Sequence, residues 1–181
     1  MQVFPTKIQG ALRLQPKVFG DERGFFLEAW NRITFDQIGI QEEFVQDNHS
    51  RSQRNVLRGL HYQIENPQGK LVWVTQGSVF DVVVDLRRHS PSFGMWDGYI
   101  LSEENKERLW VPPGLAHGFL VLSQMADFQY KCTEYYTPSK ERTLLWNDPQ
   151  IGVDWPIPVG EQPILSAKDL EGKPYREAEF F

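Results

Sequence analysis

The sequence predicts a mainly β protein, an antiparallel sandwich or barrel with a few short helices. Short alternating or β-branched runs recur at even spacing, and Gly- and Pro-rich turns separate them. Almost no stretch carries a helical period. There is no βαβ rhythm, no GxGxxG and no phosphate-binding loop, so a parallel nucleotide fold is set aside.

Each element has a local reason. Leu12–Leu14 and Lys17–Phe19 alternate as strands. Gly20-Asp21-Glu22-Arg23-Gly24 is a turn, and Phe25–Trp30 resumes as a strand. Asn31 caps a short helix over Ile33–Ile38, which Gly39 stops. Phe44–Ser50 is extended and unusually polar, and residues 50–55 read as a loop. Leu57–Gln63 is a strand, and Asn66-Pro67-Gln68-Gly69 turns the chain into Lys70–Gln76. Val79–Leu86 is rich in β-branched residues, and Gln76-Gly77-Ser78 is read as closing a hairpin between these two strands. Residues 90–94 form a loop. Strands continue at 97–101, 108–111, 116–122 and 126–135. The Pro- and Gly-rich stretch 148–163 wraps the surface, and a last short helix begins at Ser166–Leu170.

The chain has 181 residues, enough for one sizeable core, so residues 1–181 are read as a single domain. Hydrophobic residues make up 40% and aromatics 13%, which is a globular composition. The net charge of -5 argues against a nucleic-acid or membrane-surface partner, and an anionic ligand needs a locally basic pocket. The single cysteine, Cys132, excludes an internal disulfide and fits a reducing cytoplasm. The start, Met1–Lys7, lacks a signal layout, and no apolar run approaches the roughly 18 residues of a membrane span. A soluble cytoplasmic protein is expected.

The chemistry centres on Leu57-Arg58-Gly59-Leu60-His61-Tyr62-Gln63. Strand alternation puts His61 and Gln63 on one face with Gly59 and Leu57. A histidine beside a glycine on an inward face is a poor core filler and a good reactive group; its other reading is a hydrogen-bonded core histidine. The second signal is Pro112-Pro113-Gly114-Leu115-Ala116-His117-Gly118-Phe119, a histidine just past a turn at a strand start. Together the two stretches resemble the halves of a cupin, a double-stranded β-helix or antiparallel jelly roll. In metal cupins the first half carries His-x-His and a later Glu. Here the second position is Gln63, so no metal is expected, and His61 and His117 are free for acid–base work or ligand binding.

Five blocks carry a closer resemblance: Phe19–Phe26, Phe44–Ser50, Val56–Gln63, Gly114–Phe119 and Tyr130–Tyr136. In that order they resemble the motifs of the dTDP-4-dehydrorhamnose 3,5-epimerase family. The resemblance implies a cofactor-free epimerase acting on dTDP-4-keto-6-deoxyglucose at C3 and C5, in the pathway to dTDP-rhamnose. It implies four catalytic roles: His61 as base, Asp169 as the carboxylate orienting it, Tyr130 as acid on the opposite face, and Lys70 as the cation beside the C4 oxygen. From sequence, Asp81 and Asp85 stay open as partners of His61. The resemblance further implies pyrophosphate contacts from Arg23 and Arg58, and a nucleotide-holding segment of Gln46, Asp47 and Asn48 with Glu28 nearby. Tyr136 is implied to stack on the base; Phe19 and Phe26 are candidates to pack beside it, with core burial as their other reading. Glu141, Lys168 and His117 are further ligand positions. Family members are homodimers in which the segment carrying Arg23 and Glu28 reaches the neighbour's site. The alternatives are an epimerase of C3 or C5 only, a non-catalytic cupin binding a nucleotide sugar, and a metal-dependent cupin, which Gln63 disfavours.

Overall fold

A computed structural model describes all of residues 1–181. Its strands are β1 (Gln2–Pro5), β2 (Leu12–Gln15), β3 (Val18–Asp21), β4 (Gly24–Leu27), β5 (Gln46–Gln53), β6 (Leu57–Gln63) and β7 (Lys70–Gln76). They continue as β8 (Ser78–Asp85), β9 (Trp96–Ser102), β10 (Arg108–Val111), β11 (Leu115–Val121), β12 (Met125–Cys132) and β13 (Glu141–Thr143). Helices α1 (Arg32–Gln37) and α2 (Ala167–Leu170) are both short. The Asn31 side chain accepts from the Ile33 and Thr34 amides, as a cap should.

Two antiparallel sheets face each other in the jelly-roll arrangement. One has six strands in the order β1-β2-β10-β7-β12-β5, the other five in the order β13-β6-β11-β8-β9. Between them Val72, Val74, Leu109, Val111 and Phe128 of the first sheet meet Val79, Val83, Phe119 and Val121 of the second. Each sheet also has a covered outer face. The C-terminal tail lays Ile151, Trp155 and Tyr175 over Leu57, Leu60, Val82 and Val84. Helix α1 lays Phe35 over Leu14, Leu71 and Trp110. Burial on both faces explains why β8 and β11 read as nearly unbroken apolar runs rather than clean alternations.

Four sequence expectations are corrected. Strands β7 and β8 are not a hairpin, because β7 pairs with β10 and β12 while β8 pairs with β9 and β11. Gly77 is where the chain crosses between sheets; its φ is 74°, and a Cβ there would meet Met125 O at 2.0 Å. Residues 50–53 are not loop but the end of β5, paired to β12 through Met125↔Gln53. The strand expected over Phe25–Trp30 stops at Leu27 and pairs only with β3, as a separate exposed hairpin. Finally, Leu57 does not share a face with His61. Opposite β11 the register runs His117↔His61 and then Phe119↔Arg58, so β6 carries one extra residue at Gly59-Leu60. A bulge of one residue flips every later side chain. Leu57 thus joins the outer core, while Arg58 and His61 both face inward.

Candidate active site

The inward faces enclose a cavity of about 340 Å³. One wall is the five-stranded sheet, with Arg58 and His61 of β6 and His117, Gly118 and Phe119 of β11. The facing wall belongs to the six-stranded sheet. It presents Gln46, Asn48 and Ser50 of β5, Lys70 of β7, and Phe128, Tyr130 and Cys132 of β12. Gln68, Tyr136, Glu141 and Lys168 complete the lining. Alternate residues contribute from the paired ends of β5 and β12, as one face of a strand must. The Phe119 and Phe128 rings stack at 4.1 Å and form an apolar patch between the polar walls.

His61 Nε2 lies 2.7 Å from Asp169 Oδ1, with the carboxylate 2% exposed behind the imidazole. That contact places the ring proton on Nε2 and leaves Nδ1 as the basic lone pair. Asp81 and Asp85 are therefore not partners of His61. Asp81 lies 3.0 and 2.9 Å from His117 Nε2 through its two oxygens, and Asp85 accepts from Arg87, Ser90 and Ser92. Burial lowers the His61 imidazolium below the ordinary histidine value; the Asp169 bond opposes this, and the Lys168 and Lys70 charges reinforce it. Asp169 itself is pushed down to about 2: burial acts upward, and its bonds to His61 and Ser166 prevail. The site at neutral pH is thus a neutral imidazole on an ionised carboxylate.

On the facing wall, burial raises the Tyr130 phenol to about 12, so it keeps its proton at pH 7. The Lys70 side chain forms no ion pair or hydrogen bond with the protein, and burial lowers its ammonium. Arg58 reaches the cavity with Nε bonded to Ser52 Oγ at 3.0 Å. At the rim, Glu141 accepts from the Tyr136 hydroxyl at 2.8 Å and from Lys168 Nζ at 2.7 Å. No three His, Cys, Asp or Glu side chains converge as a metal-donor set.

The structure therefore gathers His61, Lys70, Tyr130, Arg58, Gln46, Asn48, His117, Tyr136, Glu141 and Lys168 around one cavity, with Asp169 buried behind it. It does not bring in five other expected residues. Asp47 points to the outer face of β5 and pairs with Lys131 at 2.9 Å, because it is out of phase with Gln46 and Asn48. Phe19, Phe26 and Arg23 lie on the β3–β4 hairpin, outside the cavity, with Arg23 turned onto Asp21. Glu28 follows that hairpin and bonds to Asn31 and Thr34. Reading along the sequence missed Ser50, Gln68, Gly118, Phe119, Phe128 and Cys132 as lining residues. Three of them were findable by strand period alone, as Asn48 plus two and Tyr130 plus or minus two.

A two-sheet jelly roll that sets an oriented imidazole and a protonated phenol on facing walls of one cavity is a cupin-type acid–base enzyme. The model of the dTDP-4-dehydrorhamnose 3,5-epimerase family matches residues 5–177, and this chain belongs to that family of isomerases. It is 54% identical over 182 residues to the dTDP-4-dehydrorhamnose 3,5-epimerase of Pseudomonas aeruginosa, covering 100% of this chain and 99% of that one. Its fold superposes with a TM-score of 0.94 on the 3,5-epimerase RmlC of Legionella pneumophila in complex with dTDP-4-keto-L-rhamnose. That pair is 52% identical and covers 98% of this chain and 94% of the other. ChmJ, a 3'-monoepimerase of Streptomyces bikiniensis, is more distant, at 32% identity and a TM-score of 0.87 over 94% of this chain and 86% of its own.

Proposed function

We propose that this cavity converts dTDP-4-dehydro-6-deoxy-D-glucose to dTDP-4-dehydro-L-rhamnose by inverting C3 and C5, a step of dTDP-L-rhamnose biosynthesis. The observation that carries the reading is the opposition of His61 and Tyr130 across the cavity, with Lys70 on the Tyr130 wall. Both carbons flank the C4 ketone, so removing either C–H proton yields an enolate. His61 Nδ1 takes the proton, and Asp169 steadies the imidazolium that results. The Lys70 ammonium, with no carboxylate in ion-pair contact, meets the negative charge that develops on the C4 oxygen. Tyr130 returns a proton from the other side, and reprotonation on the opposite face is what inverts the centre.

The diphosphate falls to Arg58, and the thymine edge to Gln46 and Asn48, whose amides both donate and accept. Tyr136 stacks on the base, and His117, Glu141 and Lys168 hold the sugar side. Arg23, Glu28, Phe19 and Phe26 are assigned to the site of a second copy in a homodimer. Supporting this, Phe19, Phe25 and Phe26 are 52%, 63% and 69% exposed on a hairpin that packs on neither main sheet. Asp47 is left out of the proposed site. Residues 1–181 are taken as one domain, since all three core clusters pack on the same two sheets. The proposed compartment is the cytoplasm, consistent with a single free cysteine; no helix is long and apolar enough to cross a membrane.

The test is proton NMR of the keto sugar with the protein in deuterated water. Deuterium at both C3 and C5 with the L-lyxo product is the expected outcome. Exchange at one carbon alone would make the chain a monoepimerase, and binding without exchange would reduce it to a nucleotide-sugar binder.

A further inference from the structure

We infer that Ser166 is a positioning residue for the base, acting through Asp169. The inference rests on the proposed roles of His61 and Asp169 and adds a third member behind them. The carboxylate of Asp169 is 2% exposed, and its two oxygens are divided between separate donors. Oδ1 takes His61 Nε2 at 2.7 Å and the Gly59 amide at 3.2 Å. Oδ2 takes the Ser166 hydroxyl at 2.6 Å and the Ser166 amide at 3.2 Å. The arrangement is the capping box of α2, in which Ser166 is the cap and Asp169 the third helical residue. In an ordinary capping box the acidic residue serves only the helix end. Here its other oxygen is bonded to the base, so the helix cap fixes the plane of the carboxylate that aims the imidazole.

Two consequences follow from the chemistry of a shared anion. A carboxylate with all four acceptor sites filled cannot pivot, so the imidazole is held in one orientation. A hydroxyl on Oδ2 also withdraws negative charge from the oxygen facing His61, which keeps the dyad from binding a proton too tightly in the resting enzyme. Removing that hydroxyl concentrates charge on the imidazole side and strengthens the imidazolium. The base is then protonated at a higher pH than before.

The experiment compares Ser166→Ala, Ser166→Gly and Ser166→Thr with the unaltered chain and with His61→Ala. The readout is kcat and KM against pH, together with thermal denaturation. Glycine is nearly as good a helix cap as serine but has no hydroxyl, so it separates helix stability from the contact with Asp169. Threonine restores the hydroxyl, and Ser166 is exposed enough to accommodate the extra methyl. The expected result for both Ala and Gly is a roughly 10-fold lower kcat and an acid limb of kcat displaced upward by about half a pH unit. KM should be unchanged, because Ser166 does not line the cavity. Threonine should restore both rate and profile. The inference is overturned if Ala and Gly leave the acid limb in place, whatever their melting temperatures, or if Thr fails to restore the rate. Full activity in His61→Ala would instead remove the base assignment on which the inference stands, so the two failures are distinguishable.

Discussion

His61 and His117 stand opposite each other in the β6–β11 pairing, and both are bonded to an aspartate, yet their surroundings separate them. The His117 side chain is 7% exposed and both oxygens of Asp81 lie against one of its nitrogens; His61 is 22% exposed and takes one oxygen of Asp169. The more open ring is the one that can reach a substrate carbon. His61→Ala should therefore lower turnover by about 100- to 10,000-fold, the usual worth of a general base. Calorimetric titration with dTDP should show affinity nearly unchanged, since Arg58, Gln46 and Asn48 are intact. Tyr130→Phe keeps the ring and loses the donor. It should suppress inversion more than solvent exchange at the sugar carbons, and NMR in deuterated water measures both in one sample. The pH profile follows from the same two groups. The reaction needs His61 neutral, and its pKa is lowered, so kcat should fall only as pH drops below the ordinary histidine range near 6.5. The reaction also needs Tyr130 protonated, and with that group near 12 it causes no loss as pH rises from 7 to 10; a fall on the alkaline side belongs to the Lys70 ammonium, which burial makes easier to deprotonate.

At the scale of elements, the bulge in β6 makes the site possible, because without it Arg58 and His61 would lie on opposite faces. The strands meet there through a pair of glycines. A Cβ on Gly118 would sit 2.6 Å from Arg58 O, and one on Gly59 would sit 2.6 Å from Gly118 Cα, at a φ of 128°. Gly118→Ala must spread β6 from β11 and should cost about 1–3 kcal/mol. That corresponds to a melting temperature lower by roughly 2–12 °C for a chain of this size, with activity reduced further than stability alone explains. The same place marks where sequence reading ran out. Strand identity was legible from alternation and turn residues, and the cap of α1 from Asn31. The face occupied by Leu57 was not, since one inserted residue inverts the pattern without any change in composition. The β7–β8 connection failed for a related reason. Gly77 supplies a turn in either case, and only the partners of each strand, far away in sequence, show that the chain changes sheet. β13 has three residues and no pattern of its own; its pairing with Gln63, Tyr62 and His61 brings Glu141 to the cavity. The cavity lining was legible wherever a motif named one residue and the strand period supplied its neighbours.

At the scale of the molecule, the hairpin β3–β4 is the part that one chain leaves without a role. Its phenylalanines are exposed, and its Arg23 touches only Asp21. If it completes the cavity of a second copy, then a site is the joint property of two chains, and defects in different parts of the site can complement. An Arg23→Ala chain has a sound His61 but a faulty arm. A His61→Ala chain has a sound arm but no base. Each homodimer should be nearly inactive, the first through a raised KM and the second through lost turnover. In the mixed dimer, the sound arm of one chain enters the cavity that holds the sound base of the other, so one of two sites is whole. With equal mixing, half of the dimers are mixed, and the sample should recover about a quarter of the unaltered activity. The measurement is the rate after the two variants are unfolded together and refolded, compared with the same variants refolded apart. An arm that served its own chain's cavity would leave both sites of every dimer defective. The co-refolded sample would then be no more active than the separate ones, and Arg23 would have to act, if at all, within its own chain.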